Sequence, residues 1–215
     1  MHKEGDAPLI AVIGSTGSGK TALAEAIALQ VGGELVSCDA KQAYRGMDIG
    51  TNKEKDLGVA QHLLDIKNPG ERLTVAEYQG MAYQVIDSLQ ARGVQPILVG
   101  GSMLYAEAVM NGYVFDEAKK SNLQQPRYRV LKLGIDIDRE VLKERLSART
   151  GEWLKMGLVE EIQRLLQEGV APEWLDACGQ EYRFFTRYVQ GEISLEEAVR
   201  LTNTSLHQYV KRQYT

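Results

Sequence analysis

The sequence has few cysteines and no long apolar run. Its two cysteines, Cys38 and Cys178, are far apart among 215 residues and form no CxxC pair, which excludes a disulfide framework and indicates reduced thiols in an intracellular protein. We expect Cys38 to be a packing residue, because free cysteine usually behaves as a small buried hydrophobe. No segment reaches the roughly 20 apolar residues of a membrane span, and the polar start of the chain lacks a signal-peptide core. We therefore expect a cytoplasmic protein without membrane association.

An excess of positive charge is also missing. The net charge is −4, so the chain has no global attraction to nucleic acid, and RNA binding would need a local basic surface. Eight Lys and Arg residues between positions 127 and 155 offer such a surface. Acidic residues are interleaved with them, and a solvated, salt-bridged helix face is the alternative interpretation.

The most informative segment is a glycine-rich loop near the start of the chain. Residues 14–21 read G-S-T-G-S-G-K-T, a complete phosphate-binding loop. An apolar run at 9–13 predicts a buried parallel strand before it, and 22–31 predicts a helix after it. The loop amides and the helix N-terminus favour an anion, Lys20 would reach its terminal phosphates, and Thr21 would complete a Mg²⁺ site. The predicted diphosphate-binding residues are Gly14, Ser15, Thr16, Gly17, Ser18, Gly19, Lys20 and Thr21.

Strand and helix patterns alternate through the first two thirds of the chain. The predicted strands are 9–13, 34–38, 62–66, 96–99 and 128–136, and the predicted helices are 22–31, 74–92, 102–111, 138–149, 152–168, 181–190 and 195–212. This order predicts an α/β fold with a doubly wound parallel sheet of the P-loop NTPase type, whose ligands bind at the carboxyl ends of the strands. We expect a core over 1–150, with a short linker at 112–127, and a helical C-terminal region over 151–215 packed on that core.

Two further segments follow predicted strands and therefore belong at the same edge of the sheet. Asp39 comes directly after one strand, where a carboxylate can bind a metal or accept a proton; the alternative is a helix N-cap. Gly100, Gly101 and Ser102 follow another. Glycines would let a substrate approach the backbone, and the Ser102 hydroxyl would bind it or simply cap the next helix. A phosphate loop alone suits kinases, nucleotide hydrolases and transferases that release pyrophosphate.

Together these segments resemble the tRNA dimethylallyltransferase family, also called tRNA isopentenyltransferases. The family's motifs G-P-T-A-S-G-K-T, D-S-M-Q-V-Y-R-G-M-D-I-G-T and V-G-G-T-M-L-Y resemble residues 14–21, 39–51 and 99–105. Further matches are residues 62–66, Arg149 with 157–161, Tyr182-Arg183, 191–194 and 211–213. The resemblance runs in order through about nine-tenths of the chain. The Y-R-G-M-D-I-G-T run is its most specific part, because nothing in the generic fold demands it.

The resemblance implies transfer of a dimethylallyl group from dimethylallyl diphosphate to the exocyclic amine of the adenosine beside the tRNA anticodon. The catalytic residues would be Asp39 as proton acceptor, Ser102 as orienting hydroxyl, and Arg149, which with the loop and Mg²⁺ would stabilise the leaving diphosphate. The implied tRNA-binding residues are Asp39, Ala40, Lys41, Gln42, Ser102 and Arg183. We expect a monomer that binds the anticodon stem-loop. Tyr44 and Tyr105 are candidates to stack on the target base, although core packing is the simpler role for both.

The chain departs from the family pattern at several positions. Ser15 and Gly17 replace the usual Pro and Ala of the loop, and Ser102 replaces the usual Thr. Lys41 stands where the family has Met, and only the short segment 112–127 occupies the position of a basic helical insertion that helps to hold the anticodon stem. Loss of this insertion leaves an adenylate dimethylallyltransferase, which needs no RNA clasp, as an alternative. A P-loop small-molecule kinase and a non-catalytic nucleotide- or RNA-binding remnant are the others.

Overall fold

The sheet is parallel and carries the phosphate loop near its centre. The computed structural model describes residues 8–115 and 126–213, with side chains up to residue 208. Within them the strands are β1 (Leu9–Gly14), β2 (Gly33–Ser37), β3 (Gln61–His62), β4 (Gln95–Gly100) and β5 (Val130–Ile135), in the spatial order β3-β2-β4-β1-β5. All neighbouring strands pair in parallel. The carboxyl ends of β1, β2 and β4 therefore open at one edge, where the predicted site residues follow them.

Helices cover both faces of the sheet. They are α1 (Lys20–Val31), α2 (Val75–Ala91), α3 (Met103–Asn111), α4 (Arg139–Met156), α5 (Leu158–Gln167), α6 (Pro172–Cys178), α7 (Gln180–Val189) and α8 (Leu195–Gln213). Alternate residues of β1 point to opposite faces: Leu9 and Ala11 pack with α2 and α3, and Ile10 and Val12 pack with α1. The doubly wound α/β prediction is confirmed. None of the described helices is long and apolar enough to cross a membrane.

The C-terminal helices build a second core onto which the 44–51 segment packs. Met47 is fully buried among side chains of α5 and α7, and Tyr44 and Ile49 pack at its edge. Helix α4 runs through residue 150, so the secondary structure does not change at the division between 150 and 151, and that division stays a prediction. The predicted linker 112–127 is described only at its two ends, because residues 116–125 lie outside the described part of the chain.

Three secondary-structure predictions were wrong in detail. The strand predicted at 62–66 is only β3, because Leu63 and Asp65 adopt left-handed backbone angles (φ 65° and 54°) that no strand accommodates. The helix predicted at 152–168 is broken at Gly157, whose φ is 98°, a conformation that favours glycine at a helix end. The loop predicted around Pro172 is the start of α6, where the ring occupies the first helical position.

Candidate active site

The phosphate loop closes on itself between β1 and α1. Gly17 and Gly19 have positive φ (83° and 91°), as a loop that turns its amides inward requires. The Lys20 ammonium donates to the Ser15 carbonyl at 2.7 Å. Burial lowers the pKa of Lys20, and the negative charge of Asp39 partly opposes that effect. The hydroxyls of Ser15 and Ser18 are buried without a hydrogen-bond partner, so the loop contains polar groups that the described chain leaves unsatisfied.

A cleft of about 250 Å³, here called the loop cleft, opens beside this loop. Of the eight predicted loop residues, five line it: Thr16, Gly17, Gly19, Lys20 and Thr21. Gly14, Ser15 and Ser18 do not line it, and the Ser15 carbonyl accepts the Lys20 ammonium and the Ser18 N–H. The lining also includes Asp39, Gln42, Glu54 and Arg149. The loop cleft therefore combines backbone amides, two cations and two carboxylates, those of Asp39 and Glu54.

A second cleft of about 330 Å³, here called the side cleft, adjoins the first. Four of its lining residues were predicted to bind tRNA and do not line the loop cleft: Ala40, Lys41, Ser102 and Arg183. The residues common to both clefts are Thr16, Asp39, Thr51, Asn52, Gly101 and Arg149. Two ligands, one bound in each cleft, would thus come together beside Asp39 and Arg149.

Asp39 lies where the two clefts meet. It follows β2, and its Oδ1 accepts the Lys41 backbone N–H at 2.9 Å, which closes a tight turn rather than capping an α-helix. The N-cap alternative for Asp39 is therefore wrong. Its Oδ2 lies on the side of Gly101, 3.7 Å from the position of a Cβ there. One carboxylate oxygen holds the turn, and the other lies near Gly101, one of the six residues that line both clefts.

Ser102 ties this turn to the end of β4. Ser102 occupies the N-cap position of α3, but its side chain makes no capping bond there. Its Oγ instead accepts the Ala40 backbone N–H at 2.9 Å, so the capping role is wrong for the hydroxyl. An oxygen that accepts this bond retains its own proton for donation. The two preceding glycines have different roles: a Cβ on Gly100 would lie 2.5 Å from the Cys38 carbonyl carbon, whereas Gly101 lines both clefts. Gly100 also lines the loop cleft, so the expectation that these glycines let a substrate approach the backbone stays a prediction for both.

Arg149 projects from α4 into both clefts. Its guanidinium lies over the Trp153 ring, 5.7 Å from the centroid, a contact that orients the planar group. Burial lowers the pKa of Arg149, and the carboxylate of Glu181 is the largest influence in the opposite direction. These contacts distinguish Arg149 from an exposed ion-pair partner.

The remaining predicted tRNA-binding side chains are all engaged by neighbours. Lys41 forms an ion pair with Glu181, whose side chain is 5% exposed. Arg183 pairs with Asp176 at 3.3 Å. Gln42 lines the loop cleft instead of the side cleft, and its Nε2 donates to the carbonyls of Thr51 and Asn52, each at 3.2 Å. Glu181 was missed in the sequence analysis, although it directly precedes the matched Tyr182-Arg183 pair.

Two minor expectations concern residues outside the clefts. Cys38 is fully buried, and burial raises the pKa of its thiol to about 12, as befits the packing role expected of it. Tyr44 donates its hydroxyl to the Glu71 carbonyl and meets Trp174 edge-on. Tyr105 stacks on Tyr78 with ring centroids 4.6 Å apart. Neither tyrosine lines either cleft, which favours packing over base stacking for both.

The donor set of the loop cleft fits a magnesium ion that is shared with a diphosphate. The described residues contain no group of three or more His, Cys, Asp or Glu side chains able to hold a metal. Mg²⁺, however, is usually held by one or two protein oxygens together with phosphates and water. The Thr21 hydroxyl and the Asp39 carboxylate line the same cleft. Binding of Mg²⁺ therefore stays a prediction, and the oxygens of Thr21 and Asp39 are suitable ligands for it.

Comparison with known proteins assigns the family. A model of the IPP transferase family matches residues 42–125 and 114–215. A tRNA dimethylallyltransferase 2 from Shewanella sediminis is 35% identical over 96% of this chain and 87% of its own length. A tRNA dimethylallyltransferase 1 from Parabacteroides distasonis is 34% identical over 96% of this chain and 87% of its own length.

A solved structure with a similar fold comes from the same kind of enzyme as these relatives. The full-length tRNA isopentenylpyrophosphate transferase from Bacillus halodurans superimposes with a TM-score of 0.87 and 27% identity, over 96% of this chain and 85% of that one. The alignment with the Shewanella relative extends over 263 residues, more than the 215 of this chain, so the relative has residues without a counterpart here, in line with a missing insertion. The chain belongs to the IPP transferase family, and its curated relatives of this similarity are tRNA dimethylallyltransferases.

Proposed function

We propose that this enzyme transfers a dimethylallyl group from dimethylallyl diphosphate to the exocyclic amine of the adenosine beside a tRNA anticodon. The observation that carries the proposal is the meeting of the two clefts at Asp39 and Arg149. One cleft has the phosphate loop as its wall, and the other has Ser102 and the basic residues Lys41 and Arg183. Such a pair of clefts suits a donor diphosphate and a nucleic-acid acceptor that react where they meet.

The loop cleft would bind the diphosphate of the donor. Breaking the allylic C–O bond leaves its electron pair on the diphosphate, and charge that develops there is stabilised by fixed donors. The loop amides, Lys20 and Arg149 supply these donors. Thr21 would hold Mg²⁺, which when bound adds further charge stabilisation to the departing diphosphate.

Asp39 would accept the proton that the acceptor amine loses. As the new C–N bond forms, the exocyclic nitrogen gives up one proton, and a carboxylate within hydrogen-bond distance makes this weak nucleophile more reactive. Oδ2 is suited to that role, because Oδ1 is occupied by the Lys41 N–H. The Ser102 hydroxyl, held by the Ala40 N–H, would orient the same amine.

The side cleft would receive the target adenine and its flanking backbone. The base must leave its stack to enter, at a cost of about a few kcal/mol that pocket contacts offset. Ala40, Lys41, Ser102 and Arg183 line this cleft. Gln42 lies on the other side, and we propose that it contributes indirectly by holding the Thr51–Asn52 backbone. We also propose that the enzyme is cytoplasmic and acts as a monomer.

A direct transfer assay tests this assignment. The protein is incubated with labelled dimethylallyl diphosphate and Mg²⁺ in the presence of tRNA, AMP, or ATP with small acceptors, and the labelled product is mapped. Label on an adenosine of the anticodon loop supports the proposal. Label on AMP alone would instead support an adenylate dimethylallyltransferase, which the short 112–127 segment favours. Phosphate transfer from ATP would indicate a kinase, and RNA binding without any transfer would indicate a remnant.

A further inference from the structure

The buried carboxylate of Glu161, in the helical region, accepts hydrogen bonds from backbone N–H groups of the 44–51 segment. Oε2 of Glu161 accepts the N–H groups of Asp48 and Ile49, each at 2.8 Å. Its Oε1 accepts the Gly50 N–H at 3.2 Å and the Tyr182 hydroxyl at 2.8 Å. Glu161 is only 5% exposed. Four donors fill the acceptor capacity of one carboxylate, and hydrogen bonds to a charged group are shorter and stronger than neutral ones.

Residues 48–50, which Glu161 binds, are followed directly by two residues of the wall that the two clefts share. Thr51 and Asn52 line both clefts. Asn52 has a positive φ of 51°, and its side chain accepts the Trp153 indole N–H at 2.5 Å. The Gln42 Nε2 donates to the backbone carbonyls of Thr51 and Asn52. Segment 48–52 is therefore fixed by Glu161 from the helical region and by Gln42 from the turn after β2.

Glycine at position 50 allows this contact to form. A Cβ there would lie 2.7 Å from the Tyr182 ring, closer than real Cβ atoms approach. The ring can pack against the backbone only because Gly50 has no side chain, and this contact brings the Tyr182 hydroxyl to Glu161. The arrangement accounts for the glycine of the D-I-G part of the motif.

We propose that Glu161 is a positioning residue for the transfer reaction. It sets the conformation of segment 48–52 and so the shape of the wall between donor and acceptor clefts, although Glu161 itself lines neither of them. This role rests on the proposed function. Because the phosphate loop lies on a different element, loss of the Glu161 contacts changes the alignment of the reactants more than it changes diphosphate binding.

The test compares Glu161→Gln with Glu160→Gln, an exposed neighbour on the same helix. Gln retains the size of Glu but places an NH₂ group against donors. We expect kcat to fall by about tenfold or more in Glu161→Gln, since reacting groups displaced by a fraction of an ångström react far more slowly. The affinity for inorganic diphosphate, measured by calorimetry, should stay within about twofold because Lys20 and the loop are untouched. Glu160→Gln should match the wild type in both.

A second variant keeps the proposal testable if Glu161→Gln does not fold. Tyr182→Phe removes one of the four donors and leaves the ring in place, so we expect a smaller fall in kcat with the same unchanged diphosphate affinity. A Glu161→Gln or Tyr182→Phe enzyme that is less heat-stable but has wild-type kcat per active molecule would overturn the positioning role. A wild-type chain that binds diphosphate but transfers no prenyl group would refute the proposed function instead.

Discussion

The Ser102 hydroxyl accepts the Ala40 backbone N–H at 2.9 Å, across 62 positions of sequence. This bond joins the end of β4 to the turn that presents Asp39, so two residues proposed to act on the same amine hold each other in register. Gly100 makes the approach possible, because any side chain there would collide with the Cys38 backbone. The pair thus links strand packing directly to the proposed chemistry.

The first prediction concerns this bond. Ser102→Ala leaves the Ala40 N–H without its acceptor and should cost about 1 kcal/mol of stability. It should also lower kcat, because the amine loses its orienting hydroxyl, and Ser102→Thr should restore most of the activity. Ser88→Ala, at an exposed position of α2, is the matched control in urea unfolding and steady-state assays. Full activity in Ser102→Ala would contradict the orienting role.

The second prediction separates binding from turnover at Asp39. Asp39→Asn keeps an oxygen to accept the Lys41 N–H but cannot take up a proton, so kcat should fall by about 10²–10⁴-fold. Asp39→Ala should behave similarly, with diphosphate affinity nearly intact in both. Single-turnover kinetics and calorimetry with inorganic diphosphate distinguish the two quantities. Near-normal turnover in either variant would mean that another group accepts the proton.

The third prediction follows from the lowered pKa of Lys20. Since burial lowers this pKa, the free enzyme loses the Lys20 charge at a pH below the 10.5 of an ordinary lysine, and diphosphate affinity should weaken as the pH rises through that region. The sign for stability is opposite: burial of the charged form destabilises the fold at neutral pH, and the penalty is relieved as the lysine deprotonates.

Calorimetric titrations of inorganic diphosphate from neutral to alkaline pH measure this effect. Lys20→Arg, which keeps its charge over that range, should lose the alkaline weakening that the wild type shows. If the wild type and Lys20→Arg weaken in parallel, another group is responsible for the pH dependence.

The fourth prediction contrasts two glycines. Gly50→Ala should destabilise the protein by about 1–3 kcal/mol, since the added methyl would press on the Tyr182 ring and strain well-packed atoms. Gly151→Ala has no atom within 4 Å of its Cβ and lies inside α4, so it should stabilise by up to about 1 kcal/mol. Urea unfolding of both variants tests the pair. If the free energy of unfolding of Gly50→Ala equals that of Gly151→Ala, segment 48–52 moves away from Tyr182 at little cost in stability.

Local patterns predicted much of this molecule correctly. The phosphate loop and its flanking strand and helix are encoded in consecutive residues, and the buried apolar runs of β1, β2 and β4 are typical of parallel strands. The strand predicted at 62–66 shows where such patterns mislead. The Asp65 carboxylate pairs with the buried ammonium of Lys53 at 2.6 Å, and the backbone at Leu63 and Asp65 leaves the extended conformation.

Glu161 and Glu181 show a second limit. Each acid lies at helical spacing from apolar residues, Glu161 between Leu158 and Leu165, and Glu181 four positions before Phe185. That spacing would have predicted that both acids are buried. It could not identify their partners, Asp48 for Glu161 and Lys41 for Glu181, which lie 113 and 140 positions away in sequence. Long-range pairing of this kind depends on how the helical region is placed against the sheet.

The sequence by itself determined the phosphate loop, the α/β class and the family, because these depend on residues that are adjacent or regularly spaced. Only the tertiary structure decided that the clefts meet at Asp39 and Arg149 and that the Ser102 hydroxyl bonds to Ala40 instead of to the first turn of α3. It also decided that the 48–50 backbone is held by Glu161. The physical reason is that buried polar groups must find partners wherever packing brings them, and packing joins segments that sequence distance separates.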